Sequence, residues 1–316
     1  MVPEHYEKLG TSAVLFERAM TWLRVEGPDR VAWLQGMVSN DVARLGPGRG
    51  CLAAHLTPQG KVLALMTILA DPEALWILAE SAPDAPLKAQ LEKLLIMEDA
   101  TIGDCSADVR AFSLSGRAAS DVIRIVLGSE VRLDSFSAHT VSGGVRAVRT
   151  HAGYDLIVPR DLAGRFLAEV AAAGVVTGEE SLRRIVWLER GIPRWGVDVD
   201  ATVTLPELGE EAIDYQKGCY IGQEVVAKIK YIGHVNRRLS GLRLEGDDVP
   251  EPGPIHREGR EVGRLTSAAH SPAAGGVIAL GYLRRGLESP GTEVEIVRDR
   301  RSLKAVVAGL PFVDLN

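Results

Sequence analysis

Lys217-Gly218-Cys219-Tyr220-Ile221-Gly222-Gln223-Glu224 is the stretch around which the rest of this chain has to be arranged. Two glycines four apart bracket a cysteine and an aromatic residue. Gln223 and Glu224 then lead into the short apolar run Val225-Val226-Ala227, so the segment reads as a tight turn that presents one thiol. Gly218 and Gly222 allow backbone angles that a Cβ resists, and they let another backbone or a flat ligand come close. Lys217, two residues before Cys219, is expected to favour the thiolate, because a nearby cation stabilises the charged form. The plainer reading makes Cys219 a small buried hydrophobe between two structural glycines, since free cysteine is among the most buried residue types.

The chain has 316 residues, a length that suggests about two domains and cores large enough to need neither disulfides nor metals. A net charge of −6 argues against a nucleic-acid partner, because phosphate contacts want a basic face. Cys51, Cys105 and Cys219 are widely spaced and form no C-x-x-C pair. The seven histidines form no H-x-x-x-H pair either, so no metal site is expected. The first ten residues carry Glu4, Glu7 and Lys8 without an apolar core, unlike a secretory signal. The longest apolar run, Val62 to Ala70, is far too short to span a bilayer. A cytoplasmic protein with no membrane contact is the expectation, and a reducing compartment suits the odd, scattered cysteines.

After an irregular start, Gly27-Pro28-Asp29 opens a helix with Val31, Leu34 and Val38 on one face. Cys51 to Thr57, Lys61 to Ala70 and Ala74 to Ala79 read as three strands, and a helix is predicted over Ala85 to Met97. A new unit begins near Asp108. It has a strand over Val109 to Leu114, a helix over Arg117 to Leu127, strands over Val145 to Thr150 and Tyr154 to Pro159, and a helix over Leu162 to Ala173. That order is ferredoxin-like. Another helix covers Glu179 to Arg190 and stops at Gly191-Ile192-Pro193. Beyond Asn236, short strands punctuated by glycine and proline indicate a small β-barrel or sandwich.

Few local patterns carry chemistry. Gln59-Gly60-Lys61 lacks the spacing of a phosphate-binding loop, no G-x-G-x-x-G follows a strand, and no G-x-S-x-G elbow occurs. A cysteine hydrolase pairing Cys219 with His151 or His234 is one arrangement the composition allows.

The octapeptide resembles the K-G-C-Y-x-G-Q-E signature of the YgfZ family, folate-binding proteins related to the aminomethyltransferase (T-protein) of the glycine cleavage system. Trp33 to Val42 is similar to that family's L-Q-G-x-x-S/T-x-D-V helix, Leu56 to Val62 to its next hairpin, and Leu188 to Gly196 to its L-E-A-G-x-P-x-x-G helix end. The resemblance implies an α+β fold: a T-protein-like ring of three modules, two N-terminal α+β modules, one of them ferredoxin-like, and a C-terminal β-barrel. The first module would combine residues 1–106 and 178–235, the ferredoxin-like insert 107–177, and the barrel 236–316.

It also implies a tetrahydrofolate, or a one-carbon derivative, in the central opening. Asp155, shorter than the glutamate of the relatives, and Arg183 fall on the positions that hold the pterin. Tyr220 and Gln223 of the turn are assigned with them to the folate, and Cys219 with Lys217 to the chemistry. A carboxylate can accept two hydrogen bonds from the pterin's guanidine-like edge. Aminomethyltransferases of this group place an aspartate where this chain has Ala64 and Leu65, neither of which can do acid–base work. The expectation is therefore a monomeric folate-binding protein that supports assembly or repair of iron-sulfur clusters, with iron-sulfur enzymes or cluster-assembly proteins as partners. A folate-dependent one-carbon transferase acting on another donor is the alternative.

Overall fold

A computed structural model describes residues 3–80, 86–128, 136, 138–140, 144–298 and 301–313 of the chain. Helix α1 (Lys8–Thr11) leads into β1 (Val14–Arg18) and β2 (Met20–Glu26), two strands separated only by Ala19. The irregular start expected from the sequence is thus two strands. Helix α2 (Arg30–Met37) follows the Gly27-Pro28-Asp29 turn, and β3 (Gly50–Leu56), β4 (Val62–Ala70) and β5 (Leu75–Glu80) come next. Helix α3 (Leu87–Glu92) is shorter than expected. Ala85 lies outside the described residues, and past Glu92 the Glu98 carboxylate accepts the Ile96 and Met97 amides, offering the backbone an alternative to helix.

The middle of the chain runs through β6 (Thr101–Asp104), β7 (Val109–Ser115), α4 (Ala119–Leu127), β8 (Ala138–Thr140), β9 (Arg146–Thr150), β10 (Gly153–Pro159), α5 (Ala163–Ala172), β11 (Val176–Thr177) and α6 (Glu180–Glu189). Helix α7 (Gln223–Tyr231) follows the cysteine turn. The chain then continues through β12 (Arg237–Leu244), β13 (Gly253–Arg257), β14 (Arg260–Ser271), β15 (Gly276–Arg284), β16 (Glu293–Arg298) and β17 (Arg301–Ala308).

These strands make three sheets. One is five-stranded in the order β3-β4-β5-β2-β6, one is six-stranded in the order β11-β1-β7-β10-β9-β8, and β12-β15-β14-β13-β16-β17 close into a barrel. The expected barrel is present, with β13 as a strand the sequence reading omitted. The ferredoxin-like order also appears, but that sheet is not built from residues 107–177 alone. It takes β1 as an inner strand against β7 and adds β11 parallel to β1. The chain therefore crosses from one sheet to the other at Ala19, and Arg18 stands at the crossing.

Alternation along the strands decides what faces the centre. On the six-stranded sheet, Leu15, Phe112, Leu114, Leu156 and Val158 point to α4 and α5 and form one core. The opposite face carries Phe16 and Arg18 of β1, Ser113 of β7 and Asp155 of β10, since Phe16 and Asp155 both pair with Ser113. That face looks toward the five-stranded sheet, whose Trp22, Leu69 and Leu78 pack on Val148 and Ile157.

The modules are joined by polar ties as well. Glu189, fully buried at the end of α6, accepts hydrogen bonds from Tyr6 Oη and from Ser271 Oγ of the barrel, both at 2.5 Å. Among the described residues, no helix is long and apolar enough to cross a membrane.

Candidate functional site

A cavity of about 430 Å³ lies where the modules meet. β4 supplies Leu63 to Thr67, the six-stranded sheet Arg18 and Asp155, the β9–β10 turn His151, helix α6 Trp187, and the segment after the barrel Leu310 and Pro311. The position at which an acid was sought, Ala64 and Leu65, is part of this wall and is hydrocarbon. Leu65 packs with Leu56 and Leu205 in the central cluster, and Ala64 packs against the cluster beneath α2.

At one end of the cavity sits a buried ion network. Arg18, its side chain 6% exposed, donates from Nη1 to both Asp155 oxygens at 3.0 Å and to Ser113 Oγ at 3.2 Å, and from Nη2 to Glu80 Oε1 at 3.2 Å. Ser113 Oγ donates a further bond to Asp155 Oδ1 at 2.6 Å. Buried charges survive only when paired in this way. A smaller cavity of about 280 Å³ adjoins the first, with Arg18, Glu80 and Trp195 in both walls. Arg183 belongs to the smaller one, where it is held by Glu180 through Nε and Nη2 at 2.7 and 2.9 Å. Both guanidinium carbons, of Arg18 and Arg183, lie 4.6 Å from the centre of the Trp187 ring. Among the described residues, Arg18 Nε is buried without a hydrogen-bond partner, and Arg183 Nη1 makes no hydrogen bond but lies 3.6 Å from Glu80 Oε1 as an ion pair.

Elsewhere on the central wall, His151 Nε2 lies 2.6 Å from Glu211 Oε1, and the ring stands edge-on to Phe136. The hydrogen bond to Glu211 holds the imidazole pKa above its ordinary value against the opposing effect of burial.

The structure divides the sequence-predicted site in two. Asp155 faces the central cavity and Arg183 the smaller one beside it, whereas Lys217, Cys219, Tyr220 and Gln223 line neither. Tyr220 and Gln223, assigned to the folate, are instead spent on the turn: Tyr220 is buried, and the Gln223 side-chain oxygen accepts the Tyr220 amide at 3.2 Å. Cys219 is exposed, which removes the buried-hydrophobe reading.

Lys217 does not serve the thiol. Its ammonium is buried and donates to the carbonyls of Gln35 at 2.7 Å, Val38 at 2.5 Å and Asn40 at 2.8 Å, which uses all three of its protons at the end of α2. Burial pushes its pKa down to about 8. Of the two bracketing glycines, only Gly222 is required. Its φ is +84°, and a Cβ there would stand 2.6 Å from the Thr57 carbonyl oxygen in the β3–β4 turn. Gly218 has open space around it and no left-handed angle.

Sequence reasoning missed Arg18, Glu80, Ser113 and Trp187. The signal for Arg18 was present in the apolar run Ala13 to Phe16 followed by the charged Glu17-Arg18, which is the end of a buried strand. Among the described residues, no group of three or more histidine, cysteine, aspartate or glutamate side chains could hold a metal ion.

Two α+β sheets and a closed barrel around one shared cavity define a three-module class of protein. Residues 2–215 match the model of the GCVT N-terminal domain and residues 237–314 that of the glycine cleavage T-protein C-terminal barrel domain, so the chain belongs to the glycine cleavage T-protein family. It is similar to the aminomethyltransferase of Listeria monocytogenes serotype 4a (strain HCC23), 24% identical over 98% of this chain and 89% of that protein. The mitochondrial aminomethyltransferase of Gallus gallus is 29% identical over 93% of this chain and 80% of its own length. The glycine cleavage system aminomethyltransferase T from Bartonella henselae has the same fold, with a TM-score of 0.88 and 20% identity over 96% of this chain and 87% of that one.

Proposed function

We propose that this chain binds a reduced folate in the central cavity without carrying out aminomethyl transfer, and that it belongs to the YgfZ branch of its family. The observation that carries this reading is the cavity wall itself, with a buried carboxylate, Asp155, at one end and the hydrocarbon of Ala64 and Leu65 where the transferases need an acid. A cavity of about 430 Å³ is within the range that takes a flat heterocycle and its substituent. The residues present fit such a group. Asp155 would accept hydrogen bonds from the donor edge of the pterin, and Trp187 and Leu65 would supply apolar wall. Arg183, in the adjoining cavity, would reach a more distal part of the ligand. When bound, the folate would supply the one-carbon chemistry that these side chains lack.

Support of iron-sulfur cluster assembly or repair is the finer part of the reading, and it places Cys219 at work outside the cavity. The exposed thiol sits on the turn just before α7, where a partner protein can reach it. One cysteine cannot enclose a cluster, so its role would be a transient ligand or a disulfide exchange with a client.

The His151–Glu211 pair is the observation that favours the second reading, a folate-dependent transferase acting on another donor, because it keeps a titratable group on the cavity wall. Calorimetric titration with 5-formyltetrahydrofolate tests the binding. Asp155→Ala should weaken it by about 1–3 kcal/mol. No binding at all removes the folate reading, and equal affinity in the wild type and the variant removes Asp155 from the site. Incubation with tetrahydrofolate and methylamine-type donors separates the two functions, since turnover supports the transferase. Restoration of iron-sulfur enzyme activities by the wild-type gene but not by Cys219→Ala, in cells lacking the gene, is the outcome expected of a maturation factor.

A further inference from the structure

Arg18 belongs to no motif in the sequence, yet its guanidinium occupies the polar end of the cavity. Nη1 meets both oxygens of Asp155 at 3.0 Å and Ser113 Oγ at 3.2 Å, Nη2 meets Glu80 Oε1 at 3.2 Å, and the plane lies over Trp187. Two carboxylates, a hydroxyl and an aromatic face together recognise a planar N–C–N cation. We propose that this is a recognition site for a guanidine-type edge that Arg18 fills from within, so that any ligand binding through Asp155 must first displace Arg18.

The placement of Arg18 makes displacement feasible. It is the last residue of β1, at the single-residue crossing into β2, and it stands in the partition between the two cavities. Its Nη2 already holds Glu80, which pairs with Met20 across β2 and β5, so the guanidinium can give up Asp155 and keep one carboxylate. Among the described residues, Arg18 Nε has no hydrogen-bond partner, so the side chain does not satisfy all its donors where it stands. A planar neutral donor edge at Asp155 would thus compete against an internal cation. The chain would select ligands that present planar N–H donors to Asp155, and would turn away flat molecules that lack them. This inference rests on the folate reading for the identity of the competitor, but the guanidinium site itself does not depend on it.

The test has two arms. In the first, thermal unfolding of Arg18→Ala is followed with millimolar methylguanidinium chloride and with sodium chloride at the same ionic strength. Methylguanidinium should refill the vacated site and raise Tm of the variant by a few degrees while leaving the wild type unchanged. Failure of methylguanidinium to do more than sodium chloride overturns the site. The second arm uses Arg18→Lys, which keeps a cation that pairs with a single carboxylate and so keeps the fold, but loses the fork. Its affinity for 5-formyltetrahydrofolate should rise by about tenfold. An affinity equal to or below that of the wild type, with Asp155→Ala still losing binding, makes Arg18 a ligand contact and ends the competition argument. No folate binding in any form, together with methylguanidinium rescue of Arg18→Ala, removes the folate reading and leaves the guanidinium site standing.

Discussion

The Lys217 ammonium donates to the Val38 carbonyl oxygen at 2.5 Å, across 179 residues of sequence, and so faces the end of α2 rather than Cys219. The lysine of the octapeptide is a structural plug. Together with its bonds to Gln35 and Asn40 it satisfies carbonyls that a helix end leaves open, and the helix dipole favours a cation there. Lys217→Met fills a similar volume but leaves these buried oxygens without a donor. Chemical denaturation should show a loss of about 2–4 kcal/mol. The rate at which iodoacetamide alkylates Cys219 in the folded variant, at one fixed pH, should match the wild type. A rate that falls severalfold would restore a direct link between the two residues.

Gly218 and Gly222 look equivalent in the sequence and should respond oppositely to substitution. Gly222→Ala places a Cβ against the Thr57 carbonyl at a backbone angle that alanine disfavours, and should cost about 2 kcal/mol or more. Gly218→Ala meets open space and should stay within about 0.5 kcal/mol. Comparable losses in the two variants, measured by urea unfolding, would contradict this division of roles.

What could be read from the chain without its structure follows from how far each signal reaches. The barrel was legible because all of its strands but β13 announce themselves through alternation and turn residues. The strands β3 to β5 and the helices α4, α5 and α6 were legible for the same reason. Asp155 could be placed on a strand, and its partner Ser113 was within reach of a pairing argument. Arg18 could be placed at the end of a strand but not opposite Asp155, because no periodicity shows that a chain changes sheets at a single alanine. The same limit misled the reading of Lys217: closeness in sequence suggested a thiol partner, whereas its contacts are with residues 35 to 40. Tyr220 and Gln223 were drawn into the ligand site by adjacency alone, and the fold uses them to brace a turn.

The His151–Glu211 pair makes a testable link between pH and the cavity wall. The folded imidazole has its pKa raised, so the pair contributes fully below the ordinary histidine value of about 6.5 and fades as pH rises through the folded value. Both side chains are half exposed, and Arg149 and Arg190 oppose protonation, so the stability change is small and the titration itself is the better readout. Proton NMR of the His151 ring should show the pKa dropping toward its ordinary value in Glu211→Gln. An unchanged titration would mean that Glu211 does not hold the protonated ring in solution.

Glu189 offers the strongest pH prediction, because it is fully buried and joins the N-terminal segment, α6 and the barrel. Burial holds its pKa above the usual carboxylate range, against the opposing bonds from Ser271 and Tyr6. The folded chain therefore binds a proton there more tightly than the unfolded chain does. Stability from this group is present below the unfolded value of about 4.3 and declines as pH rises through the folded value. Glu189→Gln keeps an acceptor for Tyr6 and Ser271 but cannot titrate, so its stability should vary less with pH across that window. Glu189→Ala instead leaves the buried Ser271 hydroxyl and the half-buried Tyr6 hydroxyl without their acceptor and should cost about 2–4 kcal/mol at every pH. Urea unfolding from pH 4 to 8, extending about four pH units upward from the unfolded carboxylate range, distinguishes the three proteins. If the glutamine variant follows the wild-type pH profile, Glu189 is not the residue whose proton the fold retains.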